Sequence, residues 1–155
     1  MLLSKSKYLS GLQCPRLIWI QFNEPKKIPE IDPVTQHIFD QGHLVGELAQ
    51  KLFPDGIVIP VDNFMANIKL TGQLLEQRTS LFEAGILAGN LYSRLDILSP
   101  VGEDEWDIAE VKSSTGVKDV HISDVAFQRY CCKQSGLNIR KSLLVLINNQ
   151  YVRDG

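Results

Sequence analysis

The sequence predicts an α/β fold in which a central sheet is flanked by helices. Three consecutive stretches between residues 81 and 114 alternate apolar and polar residues, which is the period of half-buried strands. Stretches with helical periodicity precede them at 34–53 and follow them at 117–134. A further apolar run at 143–147 predicts one more strand. Strands enclosed by helices in this way are typical of an α/β domain.

Composition and charge are typical of a single globular domain. The chain has 155 residues, of which 44% are apolar and 22% charged, which suits one globular domain with a sizeable core. The net charge of −2 provides no basic footprint for tight non-specific binding to nucleic acid. The apolar runs are too short to span a membrane, and the N-terminus lacks the apolar core of a signal peptide. We therefore expect a cytoplasmic protein with no membrane partner, and its three cysteines do not describe a disulfide framework.

Residues 1–33 predict a helical N-terminal segment followed by a connector. Ser4 is placed to cap a first short helix, and Pro15 is placed to begin a second one. Cys14 directly precedes that proline, where the helix dipole would favour a thiolate; the alternative is a small buried apolar residue. Residues 22–33 carry three prolines and mixed charge, which indicates a connector.

The predicted core begins with a long amphipathic helix at 34–53 that contains His43. A helical histidine is commonly a structural or surface residue; the alternative is that His43 leans over the strands as a metal ligand. A short strand at 57–60 and a second helix at 66–80 follow. The first strand of the main sheet, 81–87, contains Glu83, which is either a polar-face residue or an accessory carboxylate.

The next two strands predict a hairpin that carries a metal site. They span 90–98 and 106–114, with a turn at 100–105 between them. Glu110 and Lys112 are two residues apart and so share a face, and an antiparallel neighbour can bring Asp96 within a few ångströms of Glu110. Two carboxylates beside a lysine suit a divalent-metal site for phosphodiester hydrolysis. The alternative is a solvated strand face.

The last predicted elements are a helix at 117–134, ended by Gly136, and a strand at 140–147. Gln128 and Tyr130 are the polar groups of this helix that either reach the sheet or face the solvent. Cys131 and Cys132 are adjacent, and adjacent helical residues point about 100° apart, so we expect both to pack in the core rather than to ligate one metal.

Several short motifs, in a fixed order, extend over nearly the whole chain. They are Leu3-Ser4-Lys5-Ser6 with Cys14-Pro15, Gln41-Gly42-His43, Arg94-Leu95-Asp96, Glu110-Val111-Lys112-Ser113-Ser114 and Phe127-Gln128-Arg129-Tyr130. With an aspartate in the second strand and Glu-x-Lys in the third, this order resembles the core of the PD-(D/E)xK nuclease superfamily. It is most similar to the RecB-type branch, which includes the CRISPR-associated iron–sulfur exonucleases and a related, uncharacterised bacterial domain family.

The resemblance implies a restriction-endonuclease-like core with a central mixed β-sheet. It implies that Asp96 and Glu110 bind Mg²⁺ or Mn²⁺ with help from the Val111 carbonyl, and that His43 is a further ligand. Lys112 would orient or deprotonate the attacking water and stabilise charge on the phosphate.

The resemblance also extends to the helix after the hairpin. Gln128 matches the glutamine of that helix in the family. Tyr130 lies two residues after it, where the family usually has a spacing of four, so Tyr130 is carried over only as a candidate accessory residue.

Cys14 matches the first cysteine of the iron–sulfur members, in which three more cysteines beyond the core complete a 4Fe-4S cluster. No cysteine follows Cys132 in this sequence. Either the sequence is the N-terminal part of a longer protein, in whose full-length form Cys14 would be one ligand of the cluster, or this member has no cluster. The end of the sequence just past the last predicted strand favours the first alternative, and we expect no cluster in this chain as given.

Together these observations predict a single domain over 1–155, divided into the N-terminal segment 1–33 and the core 34–155. The predicted function is Mg²⁺- or Mn²⁺-dependent hydrolysis of DNA, as an exonuclease on single-stranded or end substrates, with RNA as a second possible polymer. The alternative is a catalytically inactive nucleic-acid- or protein-binding module with the same fold.

Overall fold

Six β-strands form one mixed sheet in the computed structural model, which describes residues 1–153. In chain order they are β1 (Leu3–Ser4), β2 (Ile57–Val58), β3 (Leu81–Ala88), β4 (Leu91–Val101), β5 (Glu105–Lys112) and β6 (Asn138–Leu146). The α-helices of this part of the chain are α1 (Lys5–Gln13), α2 (Pro15–Asn23), α3 (Pro33–Gln50), α4 (Phe64–Leu75) and α5 (Asp119–Gln134), and Pro25–Lys27 forms one 3-10 turn. The predicted α/β class, with a mixed sheet flanked by helices, is confirmed.

The strand order across the sheet is β2-β3-β4-β5-β6. The central strands β3, β4 and β5 are antiparallel, whereas β2 is parallel to β3 and β6 is parallel to β5. Strands β4 and β5 pair only between Ile97–Ala109 and Val101–Glu105. Nearer the start of β4, β1 pairs in parallel with Leu91 and Tyr92. Because β3 occupies the other edge of β4 there, β1 lies in the gap that opens where β5 leaves β4.

Helices α5 and α3 cover opposite faces of the sheet. The larger hydrophobic cluster joins Leu98 and Ile108 of the sheet to Val125 and Phe127 of α5. The smaller cluster joins their strand neighbours Ile97 and Ala109, together with Phe82, to Ala49 of α3. Adjacent residues of a strand point to opposite faces, which places the two clusters on the two sides of the sheet.

The alternation of faces is interrupted at one position in each of two neighbouring strands. In β3, Phe82 belongs to the smaller cluster and Ala84 to the larger, although residues two apart normally share a face. In β4, Leu95 belongs to the larger cluster and Ile97 to the smaller. The register pairs Phe82 with Ile97 and Ala84 with Leu95 but skips Glu83 and Asp96 between them, and Glu83 has a φ of 59°. Both carboxylates therefore leave the regular pleat at the same place.

Asn67 of α4 holds the irregular backbone at Glu83 in place. Its buried side-chain amide donates to the carbonyl oxygens of Pro60 at 2.9 Å and of Glu83 at 3.0 Å. Gly85 makes room for it, because a Cβ at position 85 would overlap Asn67 Oδ1. The backbone at Glu83 is thus tied to α4 and, through the Asn67 amide, to the segment that follows β2.

Capping explains where the structure departs from the predicted bounds of α4. The helix begins at Phe64 rather than 66, because the Asn63 side chain accepts a hydrogen bond from the Ala66 amide at 3.0 Å. It ends at Leu75 rather than 80, and Arg78 beyond it has a left-handed φ of 51°. The predicted Ser4 cap of α1 is confirmed by a hydrogen bond from the Lys7 amide.

The turn of the hairpin is shorter than predicted, since Pro100 pairs with Trp106 and β4 continues to Val101. Strand β1 was not predicted, because two residues carry no periodicity. Smaller shifts affect the ends of six other elements: β2 ends at Val58, β3 ends at Ala88, α3 spans Pro33–Gln50, β5 spans Glu105–Lys112, α5 begins at Asp119 and β6 spans Asn138–Leu146. Across residues 1–153, no helix combines the length and the apolar character needed to cross a bilayer.

Candidate active site

The predicted site residues Asp96, Glu110 and Lys112 meet where β4 and β5 diverge. They line a cavity of about 1140 Å³ between the sheet and α3. Lys5, at the start of α1, lines the same cavity because β1 occupies the gap beside β4. The convergence that the hairpin pattern predicted is therefore present, and an unpredicted lysine lies within it.

Asp96 is tied to the neighbouring strand through the backbone. Its Oδ2 accepts a hydrogen bond from the Val111 amide at 2.8 Å. Within residues 1–153 no donor bonds its other oxygen, Oδ1. The side chain is partly buried and faces the cavity. This arrangement leaves one carboxylate oxygen of Asp96 available to a ligand.

Glu110 is the most heavily hydrogen-bonded carboxylate of the site, and it is only 3% exposed. Lys5 Nζ bonds both of its oxygens, at 3.0 Å and 3.1 Å. Lys112 Nζ donates to Oε1 at 2.6 Å, and Gln128 Nε2 donates to Oε2 at 2.5 Å. A carboxylate has about four acceptor positions, so Glu110 has no free acceptor position.

Asp124 and Gln128 of α5 form the floor of the site. Asp124 is 2% exposed and accepts hydrogen bonds from Lys112 Nζ at 2.5 Å and from the Gln128 amide at 2.9 Å. Gln128 is 1% exposed and donates to both Asp124 and Glu110, so the alternative of a solvent-facing glutamine is wrong. These contacts hold the Lys112 ammonium between two carboxylates.

Burial and neighbouring charges shift the pKa of each ionisable group in this network. Burial raises the pKa of Asp96 and of Glu110, and the charge of Asp96 adds to the shift at Glu110. Burial acts to raise the pKa of Asp124 as well, but Lys5 and the hydrogen bond from Lys112 prevail and lower it. Burial opposes the charged form of both lysines, yet the surrounding carboxylates raise the pKa of each. Both lysines are therefore ammonium ions at neutral pH.

The remaining predicted residues are more distant from this network. His43 is exposed on α3 and lines the cavity, and Glu83 lines it too while pairing with Arg94 Nε at 2.8 Å. Tyr130 is 54% exposed. In the part of the chain that the structure describes, no three His, Cys, Asp or Glu side chains come together as a metal-binding group. The roles of His43, Glu83 and Tyr130 stay predictions.

The cysteines occupy two different environments. Cys14 is exposed between α1 and α2, so the alternative of a small buried residue is wrong. Cys131 and Cys132 are fully buried in the larger hydrophobic cluster, as predicted. Within residues 1–153 the three cysteines do not make up the four ligands that a 4Fe-4S cluster generally needs, and a cluster in a longer protein stays a prediction.

Two residues of the network were not among the predicted site residues, namely Lys5 and Asp124. Asp124 precedes Gln128 by four positions, which places both on one face of α5, and this spacing is readable in the sequence. Lys5 is separated from Glu110 by 105 positions and reaches it through the pairing of a two-residue strand. No local sequence pattern predicts such a contact.

The donors of the site suit a hard divalent cation such as Mg²⁺ or Mn²⁺, which prefer carboxylate and carbonyl oxygens. Within residues 1–153, Asp96 Oδ1 accepts no hydrogen bond and Asp96 lines the cavity, whereas the oxygens of Glu110 are occupied by ammonium and amide donors. A cation shared by Asp96 and Glu110 therefore requires that Glu110 release one of these contacts.

No protein-family model matches the chain, and a search of the curated proteins finds no match. Function is therefore inferred from the fold and from the geometry of the site.

Proposed function

We propose that this domain is a metal-dependent nuclease that hydrolyses phosphodiester bonds in DNA. The observation that supports this most strongly is the convergence of Asp96, Glu110 and Lys112 at one end of a cavity. These residues lie on adjacent strands of a mixed sheet covered by helices on both faces, which agrees with the proposed restriction-endonuclease-like core. A bound Mg²⁺ or Mn²⁺ would lower the pKa of a water molecule and polarise the phosphoryl oxygen.

Lys112 is assigned the stabilisation of charge on the phosphate and the orientation of water. Its neighbours Glu110 and Asp124 raise its pKa and so favour the ammonium form, which is suited to stabilising an anion rather than to removing a proton. Gln128 and Asp124 act as positioning residues, because they hold Lys112 and Glu110 rather than facing the cavity.

The cavity supplies space for a polymer near this constellation. It is lined by Arg94 and by the two lysines, so cationic groups lie beside the carboxylates. The resemblance to the RecB-type branch supports DNA ends as the substrate, and RNA is the second polymer to test. We also propose a cytoplasmic location for this activity.

A nuclease assay with a matched pair of lysine variants tests the proposal. We expect purified protein with Mn²⁺ to degrade labelled linear DNA. Lys112→Ala should reduce the rate by at least about 100-fold, the usual contribution of a positioned catalytic group. Lys69→Ala, an exposed position on α4, is the control and should retain the activity.

The competing function is a nucleic-acid- or protein-binding module without catalysis. One observation favours this alternative: every acceptor position of Glu110 is already occupied by a lysine or glutamine donor. Such a fully paired network of charged groups can stabilise the fold without a metal. Binding of DNA without degradation by wild type and Lys112→Ala alike, with or without Mn²⁺, would select this alternative.

A further inference from the structure

The Lys5 ammonium occupies the part of Glu110 that a metal would need. Lys5 Nζ lies 3.0 Å and 3.1 Å from the two carboxylate oxygens, and 3.5 Å from Asp124 Oδ1. This near-symmetric contact with both oxygens is the position from which one cation binds a carboxylate in bidentate fashion. The Lys5 side chain is 19% exposed and borders the cavity, so it is accessible from the side where Asp96 lies.

The fold fixes Lys5 at this point. The Leu3 amide donates to the Asn90 carbonyl at 2.8 Å, and Ser4 pairs with Tyr92 before capping α1. Helix α1 is held against α5 by stacking of Tyr8 on Phe127, with 4.7 Å between the ring centroids. The position of the Lys5 ammonium is therefore fixed by β1 and α1, which both pack against the rest of the domain.

Charge balance indicates which cation leaves when a metal enters. Asp96, Glu110 and Asp124 carry three negative charges when ionised, against two positive charges from Lys5 and Lys112. Three carboxylates are neutralised by one ammonium and one divalent ion. Lys112 is held by both Glu110 and Asp124 at 2.5–2.6 Å, whereas the contacts of Lys5 are longer. Lys5 is the more readily released of the two.

We propose that Lys5 is an internal counter-ion of the metal-free site, and that a divalent cation displaces it from Glu110. This inference rests on the proposed metal-dependent function. It makes the β1–α1 segment a competitor for the metal, so the charge at position 5 sets the metal affinity of the site.

Metal affinity of position-5 variants tests the proposal without any measurement of activity. Mn²⁺ binding is measured by titration calorimetry and by the paramagnetic resonance of free Mn²⁺. Lys5→Met, which keeps length and removes charge, should bind Mn²⁺ about 10- to 100-fold more tightly than wild type, as expected for removal of a charge-assisted contact. Lys5→Arg should not gain affinity.

Lys7→Met is the matched control. It removes the same charge from the same helix, but the Lys7 ammonium lies over the Phe22 ring, 4.2 Å from its centroid, and not on a carboxylate of the site. Its Mn²⁺ affinity should equal that of wild type. Equal or weaker Mn²⁺ binding by folded Lys5→Met would overturn the proposal.

Lysine labelling of the wild-type protein provides a test that needs no variant to fold. Acetylation of each lysine is followed by mass spectrometry in EDTA and in saturating Mn²⁺. We expect the labelling rate of Lys5 to rise several-fold with Mn²⁺ while that of Lys7 is unchanged. Unchanged or stronger protection of Lys5 in Mn²⁺-bound protein would show that the metal does not displace it.

The two proposals fail in different ways. If Mn²⁺ binds but Lys5 is unaffected, the counter-ion proposal fails and the nuclease proposal stands. If Lys5→Met binds Mn²⁺ more tightly but wild type degrades no nucleic acid, the counter-ion proposal stands and the nuclease proposal fails. Absence of Mn²⁺ binding by wild type and Lys5→Met alike would overturn both.

Discussion

The Val111 amide donates a 2.8 Å hydrogen bond to Asp96 Oδ2 at the point where β4 and β5 separate. This contact replaces the ladder hydrogen bonds that end at Ile97–Ala109, and so it joins the two strands through a side chain. The two oxygens of Asp96 therefore have different roles: Oδ2 holds the Val111 amide, and Oδ1 is available to a ligand. Substitutions can separate these two roles.

Asp96→Asn and Asp96→Ala should differ in stability. The asparagine Oδ1 can still accept from the Val111 amide, and loss of the charge is inexpensive because burial raises the pKa of Asp96. Alanine leaves the partly buried Val111 amide without this acceptor, which costs about 1 kcal/mol in free energy of unfolding. Urea unfolding of both variants and wild type measures the difference. Equal stability of the two variants would mean that the hydrogen bond contributes little.

Gly85→Ala should destabilise the domain. The new Cβ would overlap Asn67 Oδ1 and displace the amide that holds the Pro60 and Glu83 carbonyls. Overpacking of this kind costs about 1–3 kcal/mol.

The control for Gly85→Ala is Gly72→Ala in α4, where a Cβ meets no atom within 4 Å. Alanine is a better helix former than glycine, so this variant should be more stable by about 0.5–1 kcal/mol. Urea midpoints of the two variants should therefore move in opposite directions from wild type. A neutral Gly85→Ala variant would count against the role of Asn67.

The thiols should react unequally with iodoacetamide. Cys14 is exposed, whereas burial raises the pKa of Cys131 to about 11 and of Cys132 to about 12. One thiol should be alkylated in the folded protein and three in urea, and Cys14→Ser should show none until it is unfolded. Mass spectrometry gives the count. Alkylation of Cys131 or Cys132 in the folded protein would disprove their burial.

The same buried thiols predict a loss of stability at high pH. Because the folded pKa values exceed the unfolded thiol value of about 8.5, the folded state binds more protons above that pH. Their contribution to stability is fully present below the unfolded pKa and falls as the pH rises toward the folded values. Cys131→Ala with Cys132→Ala should flatten this decline in unfolding free energy.

Asp107 on β5 should contribute stability that is lost in acid. Hydrogen bonds from Arg140 lower its pKa, with help from the Lys141 amide at 2.9 Å. A lowered carboxyl pKa stabilises the folded state above the unfolded value and stops doing so as the pH falls through the folded value. Asp107→Asn should therefore cost about 1 kcal/mol near neutral pH and almost nothing in strong acid. Asp104→Asn, in the exposed hairpin turn, is the matched control, and its unfolding free energy near neutral pH should equal that of wild type.

Much of the fold and part of the site follow from local sequence patterns. Period-two alternation identifies β3, β4 and β5, because each strand has one side in a hydrophobic cluster over most of its length. That pattern places Asp96 opposite the region of Glu110, and the Glu-x-Lys spacing places Lys112 on the same side. Gln128 lies on the face of α5 that packs against the sheet, where it reaches Glu110.

The rest depends on contacts between distant parts of the chain. Lys5 reaches Glu110 only because Leu3 and Ser4 join the sheet, and a two-residue strand has no period to detect. The change of face at Glu83 and Asp96 breaks the alternation itself, so a regular strand pattern cannot predict it. Local physics therefore predicts the strands, whereas tertiary pairing assembles the cation network.

Degradation of labelled DNA by wild type and Asp96→Asn, in Mn²⁺ and in EDTA, tests the central claim most directly. We expect wild type to release nucleotides in Mn²⁺ and to stop in EDTA. Asp96→Asn should be slower by at least about 100-fold, because it loses a carboxylate ligand of the metal, with unchanged folding by circular dichroism. Equal degradation by the two proteins, or wild-type activity that persists in EDTA, would contradict a metal-dependent nuclease site at Asp96 and Glu110.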